Sequence, residues 1–322
     1  MKIFEKLNLR HFINKCFRFD KRKFVRYSRS LTTNGQAHTL SQIALDTHVV
    51  EKGLTMPEMR PGFGQEAVRR LIGNCRSWSN SSDTADPFYI QAIKTVKEYH
   101  QTHNILGFVF DEPFRSEIES FVNANDSIPA SEQLVFEGSD QFFYNAGEPF
   151  PEFARSRHSV RNFSDKDIPI ERLTEAIQLA QCAPSSCNRQ STRVHIITDK
   201  TQISSLLALQ NGNRGFGHLV NKLLVITYSI PVYGSVKERN LGYIDSGIFT
   251  MNMLYALHYY RIGACTLNWC DSPKDDARLR SIIHIPDNET ISLFIACGIV
   301  PDKHFKVPVS QRIEGSTITK IH

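Results

Sequence analysis

Two short polar segments carry the residues whose types and spacing could do chemistry. Residues 156–163 read Ser-Arg-His-Ser-Val-Arg-Asn-Phe, and residues 183–190 read Ala-Pro-Ser-Ser-Cys-Asn-Arg-Gln. If the first segment is extended, Arg157, Ser159 and Arg161 point to one side, because side chains alternate along a strand. Two permanent cations and a hydroxyl on one side suit a phosphate group or the electron-rich edge of a ring.

The second segment is a polar turn that closes a predicted helix. Apolar spacing predicts a helix from Pro169 to Cys182, and Pro184 ends it. The turn then presents two hydroxyls and two amides, which could bind the rest of a cofactor or could satisfy one another in an ordinary helix-ending turn. These four side chains belong to Ser185, Ser186, Asn188 and Gln190.

The elements that would position both segments alternate between strands and helices after residue 150. Strands separated by helices indicate a sheet that is covered by helices. Strands are predicted over residues 194–198, 223–228, 264–267 and 291–297, and helices over 169–182, 202–209, 244–260 and 273–283.

Residues 1–150 read as mostly helical, and a predicted domain boundary follows them. Gly147, Pro149 and Pro151 interrupt regular structure there, which predicts an N-terminal region over 1–150 and a second domain over 151–322. Residues 48–54 (His-Val-Val-Glu-Lys-Gly-Leu) and 60–64 (Arg-Pro-Gly-Phe-Gly) look motif-like, but no chemistry follows from them. Helices are predicted over Ser41–Glu51, Gln65–Ile72, Pro87–His100 and Phe114–Asn123.

The positive charge of the chain is concentrated at its start. The formal net charge is +5, and residues 1–29 hold ten Lys or Arg against two acids, a local +8 that leaves −3 for the remainder. The main body is therefore not a basic nucleic-acid binder. The apolar residues among these cations fit a surface helix packed on the body, a helix lying on an anionic membrane, or a targeting segment, and the sequence leaves all three open.

Bulk features limit the class of protein further. No uninterrupted apolar run approaches the roughly 20 residues that span a bilayer. The seven cysteines contain no Cys-x-x-Cys pair, which favours reduced thiols in a compartment such as the cytoplasm and predicts no metal site. Among them, Cys270 is expected to be buried and inert rather than redox-active.

Residues 155–313 resemble the nitroreductase family of flavin mononucleotide (FMN) enzymes. The resemblance begins with residues 157–163 and 183–190, which are similar to two motifs of that family. It continues with the predicted helix at 245–257, the Gly-Ala-Cys at 263–265, and Arg312 near the end of the chain. Any one of these features alone is weak, so the likeness depends on their shared order and spacing.

The resemblance implies a fold, a cofactor and a reaction. The fold would be α+β, a mixed sheet with surrounding helices, in an intertwined homodimer with two flavin sites at the interface. NADH or NADPH would deliver hydride to flavin N5, and the hydride would pass to a small electrophilic acceptor such as a nitroaromatic or a quinone. The flavin itself does the difficult chemistry, so no catalytic side chain is predicted.

The likeness also implies which residues bind the cofactor. Arg157, Ser159 and Arg312 would bind the FMN phosphate. His158 would donate to a phosphate or ribityl oxygen, or would make a structural hydrogen bond. Arg161 would face the pyrimidine edge of the flavin, where a cation stabilises the reduced ring, or would be a further phosphate contact.

The polar turn would complete the cofactor site, partly from the partner subunit. Pro184, Ser185 and Ser186 resemble residues that line the flavin in relatives. Asn188 would contact the ring or the ribityl chain, because its amide offers both a donor and an acceptor, and Gln190 would support it.

Asn268 and Trp269 align with the place where relatives offer a backbone N–H to flavin N5, although Trp269 could equally belong to the core. Ser191 and Thr192 depart from the Pro-Trp of the family, and the stretch after Tyr228 is too short for the helices that shape the substrate channel in many relatives. Two alternatives therefore stay open. One is a flavoenzyme dedicated to a single metabolite, by dehalogenation, ring oxidation or flavin cleavage, and the other is a non-enzymatic flavin-binding docking protein.

Overall fold

The chain divides into two compact units. The computed structural model describes residues 3–28, 35–80, 83–270 and 272–322. The first unit consists of Met1–Leu134 and Pro308–His322, and the second unit is Val135–Val307. This boundary lies upstream of the predicted one at residue 150, and the end of the chain groups with the first unit.

Residues 139–156 join the second unit because their aromatic rings pack there. The ring centroids of Phe142, Phe143 and Phe153 lie 5.7, 5.3 and 5.5 Å from that of His258. The glycine- and proline-rich stretch at 145–151 therefore contains a turn between short helices, rather than a linker between the two units.

Helices build the first unit. They are α1 (Ile3–Tyr27), α2 (Gln36–Leu54), α3 (Gln65–Ser79), α4 (Pro87–Ile105) and α5 (Phe114–Ala124). Pro87 occupies the first turn of α4, and the Asp86 carboxylate caps this helix by accepting a hydrogen bond of 2.8 Å from the Phe88 N–H. The core lies among α2, α3, α4 and α5, where side chains at helical spacing such as Leu71 and Ile93 are fully buried.

The motif-like stretches 48–54 and 60–64 meet in a close contact within the first unit. A Cβ atom at Gly53 of α2 would stand 1.9 Å from Cε2 of Phe63, so glycine alone leaves room for this ring. Tyr99 of α4 donates a hydrogen bond of 2.6 Å to the Phe63 carbonyl oxygen. This part of the two stretches therefore has a packing role.

The second unit combines helices with two sheets. In chain order, its elements are β1 (Leu134–Phe136), α6 (Ser139–Phe142), α7 (Phe150–Ser156), α8 (Ile170–Ala180), β2 (Thr192–Ile197), α9 (Lys200–Leu209), β3 (Lys222–Ser229), α10 (Leu241–Tyr259), β4 (Gly263–Asn268), α11 (Pro273–Ile282), β5 (Glu289–Gly298) and β6 (Phe305–Val307). The last helix of the chain, α12 (Gly315–Ile318), lies in the first unit.

The larger sheet has the strand order β2–β3–β5–β4, and each of its three pairings is antiparallel. Val225 of β3 and Leu267 of β4 both stand opposite Phe294 of β5, which fixes the register at the centre of the sheet. The apolar sides of α8 and α10, including Leu173 and Met253, are buried with residues of this sheet in one core. The strands β1 and β6 form a separate two-stranded sheet.

The predicted α+β class is confirmed. All helices and strands predicted between residues 41 and 297 are present, with ends that differ by at most seven residues, at Ile72 against Ser79 in α3. The larger sheet is antiparallel at every pairing, where the resemblance implied a mixed sheet. Across the described ranges, no helix combines the length and the apolar character that crossing a membrane requires.

Candidate functional site

The first polar segment lies beside β4, at the edge of the larger sheet. The Val160 N–H donates a hydrogen bond of 3.0 Å to the Ala264 carbonyl oxygen, and the Ser164 N–H donates one of 2.8 Å to that of Ile299. Residues 157–163 are not part of a strand ladder, but Arg157 is extended, with φ −75° and ψ 118°. Arg157 and His158 are neighbours in sequence, yet both border the same small cavity next to Ala264.

Arg161 is a buried cation. Its side chain belongs to a residue that is only 9 % exposed, and its Nε atom has no hydrogen-bond partner. Among the described residues, no carboxylate forms an ion pair with it. Burying a guanidinium without compensation is unfavourable by several kcal/mol, so an external group rich in acceptors or negative charge fits this position.

His258 of α10 lies behind Arg157 and His158 and was not expected from the sequence. It is 3 % exposed, and its Nε2 lies 2.9 Å from the Ser156 hydroxyl oxygen. The Ser156 hydroxyl itself donates to the Phe153 carbonyl oxygen at 2.9 Å, so His258 Nε2 carries a hydrogen and donates to Ser156. Burial, together with the charges of Arg157 and His158, lowers the pKa of His258 to about 4. The imidazole is therefore neutral near pH 7 and adds no positive charge to this region.

The second polar segment forms a strained turn. Cys187, Asn188 and Gln190 have φ angles of 53°, 52° and 47°, in the left-handed region that residues other than glycine seldom adopt. The Ser185 hydroxyl accepts a hydrogen bond of 2.9 Å from the Gln190 N–H and closes the turn. Clusters of such conformations occur at ligand sites, where the surrounding structure maintains them.

Asp245 of α10 holds this turn from behind. It is 4 % exposed, its Oδ1 accepts a hydrogen bond of 3.0 Å from the Ser186 N–H, and its Oδ2 accepts one of 3.0 Å from the Tyr233 hydroxyl. The Tyr233 hydroxyl oxygen also lies 2.7 Å from that of Ser191. An aspartate near the start of a helix is explained by the helix dipole alone, without any side-chain contact, so this role could not be predicted from the sequence.

Arg189 ties the same turn to the segment before α10. Its guanidinium forms an ion pair of 2.8 Å with Glu238 and lies 4.9 Å from the centre of the Tyr233 ring. Its Nη2 also donates to the Ser186 hydroxyl at 3.0 Å. This half-buried arginine is thus committed to holding the turn.

A cavity of about 540 Å³ opens next to the turn. Its size suits part of a ring-bearing ligand. Among the predicted site residues, Pro184, Ser185 and Gln190 line it, while Ser186 and Asn188 do not. The other lining residues are Ile177, Gln181, Ala183, Arg189, Thr192, Arg193, Val194, Asp245 and Phe249.

Within one chain, the two polar segments lie at opposite ends of α10. Arg157 and His158 lie next to His258, whereas the turn is bonded to Asp245. Asp245 and His258 are thirteen positions apart along the helix, and a rise of 1.5 Å per residue places them about 20 Å apart. The structure of a single chain therefore does not bring the Arg157–His158 pair and the turn together.

Asn268 is the last residue of β4, and Trp269 follows it directly. The Trp269 ring stacks on that of Phe294 with 5.0 Å between centroids, and the residue is half-buried. The Asn268 carbonyl oxygen accepts a hydrogen bond of 3.0 Å from the Gln210 side chain. The expectation that Cys270 is buried is wrong, because this thiol is exposed where the chain leaves β4.

Arg312 belongs to the first unit. It borders a cavity of about 300 Å³ together with residues of α2 and α4, among them Glu51 and Gln91. Because Arg157 and Ser159 belong to the second unit, the phosphate site that all three would share stays a prediction.

A family model described as the nitroreductase family matches residues 154–214 of this chain. The match spans both polar segments, so the resemblance is confirmed for this part of the chain. No curated protein matches the chain.

Several solved structures are similar to about half of the chain. A nitroreductase family protein from Streptococcus pneumoniae is 17% identical, with 54% of this chain and 100% of that one covered and a TM-score of 0.47. A protein described as a nitroreductase from Desulfovibrio desulfuricans, solved in complex with FMN, is 19% identical, with 54% and 97% covered and a TM-score of 0.47. An FMN-dependent nitroreductase from Clostridium difficile is 17% identical, with 53% and 96% covered and a TM-score of 0.41. These matches are too distant to carry a function to this chain.

Proposed function

Starting from the nitroreductase match over residues 154–214, we propose that this chain is an FMN-dependent oxidoreductase. The observation that carries the proposal is Arg161, a buried guanidinium whose Nε has no partner. The pyrimidine edge of a flavin offers carbonyl oxygens and gains negative charge on reduction, so it would satisfy this cation. When bound, the flavin supplies two-electron chemistry between NADH or NADPH and a small electrophilic acceptor such as a nitroaromatic or a quinone.

The protein groups position the cofactor and tune it. Arg157 and Ser159 would hold the phosphate through charge-assisted hydrogen bonds, with His158 donating beside them. Arg161 would hold the ring edge with a fixed positive charge. The neutral His258 supports this segment without competing for the phosphate.

The polar turn and the end of β4 would complete the site. Pro184 and Ser185 would line the ring, the amide of Asn188 would bond to the ring or the ribityl chain, and Gln190 would support Asn188. The backbone after Asn268 would orient the reactive edge of the ring. Asp245 acts on this site as a positioning residue, because its two carboxylate oxygens accept the hydrogen bonds that hold the turn in place.

A homodimer would complete each site. An apolar stripe of α10 is uncovered in a single chain, with Ile244, Ile248 and Tyr259 exposed by 52 %, 42 % and 54 %. Exposed apolar surface of this kind, on the most apolar helix of the chain, is typical of a subunit interface. Because the two polar segments lie at opposite ends of α10, the turn of one chain would meet the arginines of its partner.

The cytoplasm is the proposed location. Seven free cysteines fit a reducing compartment, and three of them, Cys182, Cys187 and Cys270, are exposed.

An acceptor specific to one metabolite is a second candidate. Thr192, which stands where the family has tryptophan, lines the cavity beside the turn, so this wall carries a small hydroxyl side chain in place of a large ring. A polar wall can select a hydroxyl or amide of a particular substrate. Steady-state rates with generic nitroaromatics and quinones distinguish the two candidates, since a dedicated enzyme turns these over poorly.

The visible absorption spectrum of the purified protein with FMN tests the proposal. We expect a perturbed flavin band, and Arg161→Ala should weaken FMN binding by about tenfold to a hundredfold, as loss of a charged hydrogen bond does. Arg172→Ala, at an exposed position on α8, is the matched control and should leave the affinity unchanged. Absence of FMN binding to the unmodified protein would overturn the proposal.

A further inference from the structure

Helix α1 is unusually exposed for its length and composition. It runs for 25 residues, and between residues 8 and 27 only Ile13, Cys16 and Asp20 are half-buried. Large apolar side chains stand in solvent along it, with Phe17 exposed by 54 % and Phe24 by 64 %. The expectation of a stripe packed on the body of the protein is therefore wrong for most of these side chains.

Most apolar side chains of α1 between residues 8 and 27 share one side of the helix, although Phe19 lies just beside this side and Val25 lies on the opposite one. At about 100° per residue, seven of them fall within an arc of about 140°. Lys23 and Asp20 are the polar residues within this arc. The seven are Leu9, Phe12, Ile13, Cys16, Phe17, Phe24 and Tyr27.

The opposite side of α1 is basic. Between residues 8 and 27 there are seven Lys or Arg and a single acid, Asp20. Six of these cations project outside the apolar arc: Arg10, Lys15, Arg18, Lys21, Arg22 and Arg26. An aromatic side against a cationic side matches the two layers of an anionic membrane surface, its acyl boundary and its phosphate headgroups.

We propose that α1 binds the surface of an anionic phospholipid bilayer and anchors the protein there. The helix would lie in the plane of the interface, with Phe12, Phe17 and Phe24 at the acyl boundary. Its lysines and arginines would contact lipid phosphates. This inference stands apart from the proposed flavin chemistry, since it uses no residue of the second unit.

The positive charge of α1 favours an anionic lipid surface, rather than a second copy of the chain, as the partner that this helix binds. Two such helices packed side by side would bring like charges together, which is unfavourable. A bilayer that contains anionic lipid neutralises the cations and covers the aromatic side chains at the same time. Loss of binding at high salt is then expected, because screening weakens the electrostatic part.

Co-sedimentation of the full-length protein with lipid vesicles tests the proposal. The probes are vesicles of phosphatidylcholine alone and vesicles with about one third phosphatidylglycerol, at low and high salt. We expect at least tenfold stronger partition onto the anionic vesicles at low salt, and a marked decrease at high salt. Equal partition onto both kinds of vesicle, or none onto either, would overturn the proposal.

Variants separate the two sides of the helix. F12S/F17S/F24S removes apolar side chains that are exposed, so the fold is retained, and partition should fall at least tenfold. K15E/R18E/R22E should abolish the preference for anionic vesicles. Unchanged partition of either variant would contradict the assignment.

A matched control removes three exposed apolar side chains elsewhere in the first unit. I105S/L106S/V109S, at the end of α4 and just beyond it, should leave vesicle binding unchanged. Equal loss in this variant would show that general hydrophobicity, not α1, is responsible. Sedimentation velocity of the same proteins measures whether α1 causes the chain to dimerise. A dimer that depends on α1, together with no binding to vesicles, would mean that α1 binds a second copy of the chain, and this result would overturn the proposal.

Discussion

Arg161 shows how one side chain can indicate a missing partner. The resemblance left two roles open for Arg161, a contact with the pyrimidine edge of the flavin and a further contact with the phosphate. In the structure this residue is buried, its Nε has no hydrogen-bond partner and, among the described residues, no acid pairs with it. The physical problem of an uncompensated guanidinium therefore points to a ligand.

His258 predicts how stability depends on pH. Its pKa is lowered from 6.5 to about 4 in the folded protein, so the unfolded chain binds a proton at a higher pH than the folded chain does. Stability from this group is therefore present above pH 6.5 and is lost as the pH falls towards 4. We expect a loss of up to about 3 kcal/mol across this window, which denaturant unfolding at several pH values measures.

His258→Gln gives the control for that experiment. A glutamine cannot take up a proton, so the decline in the free energy of unfolding between pH 6.5 and 4 should be smaller in the variant by the His258 share. The variant is expected to be less stable at neutral pH, and the comparison therefore uses the slope with pH rather than the absolute value. Identical slopes for both proteins would show that His258 does not titrate as described.

Asp245 predicts a coupling between the turn and α10. Asp245→Ala leaves the Ser186 N–H and the Tyr233 hydroxyl without their acceptor, which is expected to destabilise the protein by about 1–3 kcal/mol and to weaken FMN binding. Thermal unfolding and FMN titration measure the two effects. Asp302→Ala is the control, since its ion pair with Lys166 is exposed and should contribute far less to stability.

At the scale of elements, local rules were enough to find most helices and strands. Pro169 and Pro184 bracket α8, and apolar runs mark the strands at 223–228 and 291–297, because these signals depend on neighbouring residues alone. Local rules did not show which side of a helix is buried. Since α10 is apolar nearly all round, its spacing could not show that Phe249 and Met253 face the core while Ile248 faces outward.

Two helical glycines allow the effect of side-chain packing on stability to be separated from the effect of helix propensity. Replacing a helical glycine by alanine normally stabilises a protein by about 0.5–1 kcal/mol. Gly73→Ala in α3 should follow this rule, because a Cβ atom there meets nothing within 4 Å. Gly53→Ala in α2 should instead destabilise, because its Cβ would stand 1.9 Å from Phe63 and forces the ring to move.

The free energy of unfolding of both glycine variants, measured by denaturant titration, decides the matter. We expect the two changes to have opposite signs, with Gly53→Ala less stable by about 1–3 kcal/mol. Stabilisation by both substitutions would contradict the close contact between Gly53 and the Phe63 ring. Propensity alone cannot distinguish these two sites, so the contact had to come from the structure.

At the scale of the whole molecule, the sequence located the candidate site only in part. It identified the two polar segments, because their residue types are unusual and close in sequence. It could not identify His258 and Asp245, which act from α10 through contacts with distant residues. It also gave no sign that the segments lie at opposite ends of this helix within one chain.

The proposed cofactor site therefore requires two chains. Ile248→Glu combined with Met251→Glu places two charges on the uncovered stripe of α10, where they should block association without disturbing the core. The matched control is Ile105→Glu with Val109→Glu, two exposed positions of the first unit. Light scattering should show a dimer for the unmodified chain and for the control, and a monomer for the α10 variant.

Titration of these three proteins with FMN, with association measured on the same samples, tests the central claim most directly. We predict one FMN per chain for the dimeric proteins and at least tenfold weaker binding for the monomeric α10 variant. Full FMN affinity in a monomer, or no FMN binding by the unmodified dimer, would contradict it.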